Sequence, residues 1–253
     1  MRGTRDELSD ALFGAFARVP RPGPIDACRC CLSEAEEAAA LARVPLRELP
    51  RQAVRDLGGY LWHAHPVRGP DGLGGHVRYF APRLLADACE PGWTWPPLEL
   101  LTRRIRLAGW TSWPRAEQDG VRAFLRGLWR EILAAGPGKP DVWSVLCAAG
   151  EIEDDVHPYL SEWESALGTL TAAEQVRWLL DHAVQYGDGT WQRVDTSVTF
   201  FGLDLRQVAG WLDRLWWTVA ETYLNTEDPD LRTVLEEIES QLPVAGRGAS
   251  TGE

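Results

Sequence analysis

The chain has 253 residues, 45% of them hydrophobic and 25% charged, with a net charge of −11. That is a globular rather than a disordered composition, at a length where one large core or two packed lobes are both expected. The negative charge argues against nucleic acid or an anionic membrane as the main partner.

The charge is unevenly spread. Residues 1–135 hold 19 basic and 16 acidic side chains, a balance of +3, whereas residues 136–253 hold 7 and 21, a balance of −14. Lys139 is the single lysine and Met1 the single methionine, a bias toward Arg, Ala, Gly and Pro that reflects coding composition more than phosphate recognition. The start, MRGTRDELSD, is charged where a signal peptide turns apolar, and no run of about 18 apolar residues follows. A cytoplasmic protein is expected, and its five cysteines read as reduced thiols. Thirteen tryptophans imply an aromatic core in which each indole N–H needs an acceptor.

Helical periodicity runs through nearly the whole chain. Leu8, Leu12, Phe13, Phe16 and Ala17 form the first stripe, which ends before Pro20. RPGPIDACRCC reads as a loop, and Ser33 with Glu36 as a capping box for a short helix. A helix is predicted over 51–64, and GPDGLGG at 69–75 is predicted to be irregular. Val77, Phe80, Leu84, Leu85 and Ala88 mark the next helix, which Pro82 should kink or delay. Pro96 and Pro97 open another, carrying Leu100, Leu101, Ile105 and Leu107.

Pro114 reads as a first-turn residue of the clearest helix, in which Val121, Phe124, Leu125, Leu128, Trp129, Ile132 and Leu133 share one face. Arg115, Asp119, Arg122, Arg126 and Arg130 occupy the other, predicting a near-neutral Arg126→Ala. Trp129 is expected to pack on the helix at 97–107. AAGPGKP at 134–140 is the strongest candidate boundary. Helices are then predicted near 141–149, 158–167, 172–185, 205–224 and 230–242. Between them, TWQRV and SVTFF suggest a small hairpin around 190–201.

The expected fold is therefore all-α, an irregular stack of antiparallel helix pairs, HEAT-like or an irregular bundle, with at most one small hairpin. Its expected parts are an N-terminal helix (1–22), an N-terminal helical lobe (23–135), an acidic C-terminal helical lobe (140–243) and a disordered tail (244–253).

Few patterns carry chemistry. Cys28 and Cys31 have the spacing that lets two thiolates share a zinc ion or a disulfide, yet no second paired motif supplies the remaining ligands. Buried, inert thiols are the favoured reading, and no cofactor is expected. Glu151, Glu153, Asp154 and Asp155, followed by His157, would suit a divalent cation. They stand just ahead of Pro158, however, where carboxylates cap a helix. Trp93, Trp95 and Trp191 lie between helix breakers or in the long non-helical stretch, and form a candidate interaction surface. For Trp93 and Trp95, however, the favoured reading is plugs at the corners between helices.

The Cys28/Cys31 pair is followed by PLRELP at 45–50, Tyr60, RYFAPRLL at 78–85, LELLTRRIRLAGWTSWP at 98–114 and AFLRGLW at 123–129. Together these resemble a family of uncharacterised bacterial all-helical proteins. The resemblance covers residues 28–135 and implies an all-helical fold without an assigned activity. The chain departs from it at Cys30, where members more often carry His.

The leading expectation is a non-enzymatic interaction or scaffold module that contacts a protein partner. The alternative is a metal- or thiol-dependent protein centred on Cys28 and Cys31, with His63, His65 or His157 contributing.

Overall fold

A computed structural model of the chain describes residues 2–22, 43–63, 73–93, 95–138, 140–193 and 203–243. The described residues are mostly helical. The helices are α1 (Arg2–Ala15), α2 (Arg51–His63), α3 (Leu73–Ala88), α4 (Leu98–Leu107), α5 (Arg115–Ala135), α6 (Val142–Ile152), α7 (His157–Ala166), α8 (Leu170–His182), α9 (Leu205–Asn225) and α10 (Pro229–Gln241). Strands β1 (Val184–Gly187) and β2 (Thr190–Arg193) form an antiparallel hairpin between α8 and α9. No described helix is long and apolar enough to cross a membrane.

Local chemistry sets the helix starts. The Asp141 carboxylate accepts from Ser144 N at 2.8 Å, and Thr169 Oγ1 accepts from Ala172 N. Asp204 and Asp228 do the same for Arg206 N and for the amides of Asp230 and Leu231. Each satisfies backbone N–H groups that a first turn leaves free. Pro97 and Pro114 stand immediately before α4 and α5, where a missing N–H costs nothing.

Helices pair across the whole chain: α1 lies on α5, α2 on α3, α3 on α4, α8 on α10 and α9 on α10. The most extensive pairing, α4 with α6, joins the two sides of the Gly/Pro stretch at 134–140. Buried apolar residues from Leu12 to Leu242 form one continuous cluster. All seven apolar positions foreseen on α5 are buried. At the centre, Trp129 of α5 stands edge-on to Trp163 of α7, which stacks on Trp211 of α9 at 5.0 Å.

Three expectations are corrected. Trp129 packs on α7 rather than on the helix at 97–107: its Nε1 donates to the Tyr159 carbonyl at 3.1 Å. Leu73, Gly74 and Gly75 are helical rather than irregular, so α3 begins well ahead of Pro82, which lies inside it. The hairpin exists, but TWQR is its second strand. Its partner is the upstream VQYG, with Val184 opposite Arg193 and Tyr186 opposite Trp191. Asp188 and Gly189, at φ 51° and 75°, make the tight left-handed turn that Asp-Gly favours. SVTFF, the Ser33/Glu36 capping box and the 244–253 tail lie outside the described residues.

Candidate interaction surface

Tyr186 and Trp191 are cross-strand neighbours on one face of the hairpin, edge-on with centroids 5.3 Å apart. Trp191 Nε1 donates to Asp213 Oδ1 of α9 at 2.9 Å, fastening the hairpin to that helix. Between them lies a cleft of about 320 Å³ lined by Tyr186, Thr190, Trp191, Leu205, Ala209 and Asp213.

Past the cleft, the same helix turns an apolar ridge outward. Val208, Trp211, Leu212, Leu215 and Val219 of α9 are buried, which fixes the helix's rotation. That rotation leaves Trp217 65% and Leu224 78% exposed. Trp216 meets Trp217 edge-on at 4.7 Å and braces its ring. Neither Trp217 nor Leu224 was singled out from the sequence. The available signal was an apolar residue repeated at i and i+7 on the face opposite the core stripe.

The other predicted positions fall elsewhere. Trp93 and Trp95 are on the α3–α4 connection. Trp93 is buried, donating Nε1 to the Pro96 carbonyl at 2.6 Å, whereas Trp95 is 41% exposed. Trp191 is buried at the cleft wall. Cys28, Cys30, Cys31 and His65 lie outside the described residues. Cys89 and Cys147 are buried, and burial pushes the Cys89 thiol up to about 12, so it stays protonated.

The acidic run lines a cleft of about 470 Å³ together with Arg106, Trp110 and Arg122. Its side chains are already engaged. Glu151 faces Arg103 at 3.5 Å, Glu153 accepts from the Tyr159 hydroxyl at 2.6 Å, and Asp154 lies 3.8 Å from Arg106. Asp155 accepts from both the backbone N–H and the ring of His157, which holds its carboxyl below the usual range. Desolvation moves Glu151 the other way, upward, against the pull of Arg103 and Arg106. Only Glu153 and Asp155 reach the start of α7, Asp155 through the His157 amide, whereas Glu151 and Asp154 turn to the arginines of α4. Among the described residues, no three His, Cys, Asp or Glu side chains converge as metal ligands would.

No protein-family model, curated protein or solved structure matches the chain.

Proposed function

We propose that this chain is a protein-interaction module, non-enzymatic and cytoplasmic, that receives a partner on the outer ridge of α9. The observation that carries this reading is the exposure of Trp217 and Leu224 on a helix whose other face is fully packed. A large exposed indole gains by leaving water, and Trp is among the residue types most often found at the energetic centre of protein interfaces. The adjoining hairpin cleft, walled by Tyr186 and Trp191, extends the surface with further aromatic groups.

The test uses the full chain and its Trp217→Ser and Leu224→Ser variants, each first shown to melt at the parent's temperature. Chemical cross-linking in cells of the source organism, read by quantitative mass spectrometry, should give one or more partners for the parent that both variants lose together. Identical cross-linked sets for parent and variants would dismiss the ridge as a functional surface.

A further inference from the structure

The chemistry of the α9 ridge narrows the class of partner. We infer that it binds a cationic amphipathic helix presented by another protein, an inference that rests on the interaction reading above. Asp213, Trp217, Glu221 and Leu224 follow one another at spacings of four, four and three residues. On a helix these fall within one stripe roughly 16 Å long, since each residue rises about 1.5 Å. All four are exposed. The stripe therefore alternates acid, indole, acid, leucine.

Charge around it is one-sided. Residues 205–242 carry eight acidic side chains, Asp213, Glu221, Glu227, Asp228, Asp230, Glu236, Glu237 and Glu239, against three arginines. All eight acids are exposed. Of the arginines, Arg206 is held by both oxygens of Asp204, and Arg232 lies over the Tyr223 ring at 5.7 Å. Arg214 is exposed at the edge of the stripe, with its guanidinium turned back toward Gly210. Glu237 is in turn paired with Arg177 of α8 at 2.8 Å. Glu227 and Asp228 carry the negative charge on past Leu224.

Other occupants fit less well. In a two-fold dimer through this face, the same stripe would meet itself and bring Asp213 and Glu221 against like charges. Nucleic acid and anionic lipid are repelled for the same reason. A partner helix with apolar and basic residues alternating at three- and four-residue spacing matches the stripe rung for rung. Its apolar side chains would cover Leu224 and the Trp217 ring. Its Lys or Arg groups would meet Asp213 and Glu221, and would also find the Trp217 π-face, the aromatic surface most attractive to a cation.

The probe is a fluorescein-labelled helical peptide with Leu and Arg alternating along one face, on an Ala/Gln background. The controls are the same peptide with Glu in place of Arg, and a shuffled peptide of identical composition. Fluorescence anisotropy should show binding of the Leu/Arg peptide only, weakening as salt rises. Trp217→Ala, Leu224→Ser and Glu221→Arg should each weaken it at least about tenfold. Asp230→Arg, the same charge change off the stripe, should alter it less than about twofold.

Equal losses for Asp230→Arg and Glu221→Arg would reduce the binding to diffuse attraction and overturn the inference. Binding of the Glu peptide as well as the Arg peptide would overturn it too, as would no binding of either. If the cellular cross-links still depend on Trp217 while the cationic peptide fails, the interaction reading stands and only the partner chemistry falls. Sedimentation showing a dimer that Trp217→Ala disperses would assign the ridge to a second copy instead.

Discussion

Trp129 and Trp163 meet edge to face, ring centroids 5.4 Å apart and planes at 84°, at the point where α5 crosses α7. Both indoles are fully buried, and both N–H groups are satisfied by backbone carbonyls, Tyr159 for Trp129 and Ala172 for Trp163 at 3.0 Å. The contact joins residues on either side of the Gly/Pro stretch at 134–140, so the centre of the core is built from both halves of the sequence. Removing either ring deletes a large buried area and strands a carbonyl in the interior.

Trp129→Ala is accordingly expected to cost about 3 to 5 kcal/mol, a large share of a total near 5 to 15. Thermal denaturation should show a melting temperature far below the parent's, or aggregation on expression. Arg126, taken from periodicity alone as a solvated position, lies 4.3 Å over the Tyr159 ring and 3.5 Å from Glu162. Arg126→Ala should therefore cost about 1 kcal/mol rather than nothing. A melting temperature unchanged in Trp129→Ala would place the indole outside the core.

Glu99 gives the fold a pH dependence. It sits in the first turn of α4, 4% exposed, and its Oε2 has no hydrogen-bond partner among the described residues. Burial, with the nearby Asp141 charge, pushes its carboxyl up from 4.5 to about 7, against the pull of its own backbone and of Ser144. The folded state thus favours the protonated form. Its contribution is fully present below the unfolded value and is lost as pH rises through about 7. The difference corresponds to about 3 kcal/mol at most. Glu99→Gln, which mimics the neutral acid, should flatten the decline in melting temperature between about pH 5 and 8 and stabilise the protein at the upper end. A variant whose curve runs parallel to the parent's would place the titration on another group.

Gln207 ties two distant segments together. Its Oε1 accepts from Val156 N at 2.9 Å and its Nε2 donates to the Asp154 carbonyl at 3.0 Å, pinning the 154–156 loop to α9. Gln207→Ala should cost about 1 to 3 kcal/mol, because the Val156 amide loses its acceptor in a part-buried site. Hydrogen exchange at Val156 should accelerate in the variant, and unchanged exchange would mean that another acceptor takes over.

The helical frame was legible because burial repeats with the helix period. The α5 stripe from Val121 to Leu133 could be read as a face before any neighbour was known. Periodicity says which face turns inward, not what it meets, so Trp129 was set against the wrong helix. The hairpin was misplaced for a local reason. VQYG continues the apolar pattern of α8, and only the positive φ of Asp188 and Gly189 ends that pattern and returns the chain onto Trp191. The α9 ridge escaped notice because two apolar residues stand out only once the buried face has fixed the helix's rotation.

The packing of α1 on α5 provides a last and sharper test. Gly120 and Gly127 lie two turns apart on α5, and both face α1. In an open helix interior, Gly→Ala stabilises by about 1 kcal/mol through lost backbone freedom in the unfolded chain. Here the added methyl groups meet different neighbours. At Gly120 it would stand 2.5 Å from the Ala15 Cβ, which cannot retreat unless the α1 backbone moves. At Gly127 it would run into Leu8 Cδ2, the far end of a flexible and only partly buried side chain. Overpacking against a rigid neighbour typically costs about 1 to 3 kcal/mol, enough to cancel or exceed the propensity gain. Gly120→Ala should therefore lower the melting temperature, whereas Gly127→Ala should leave it near the parent's or slightly above. The bidentate pair between Arg5 and Glu131, at 3.2 and 2.6 Å, holds the other end of α1 in place and keeps the helix from simply sliding away. If both variants are stabilised alike, α1 does not approach α5 as closely as these positions require.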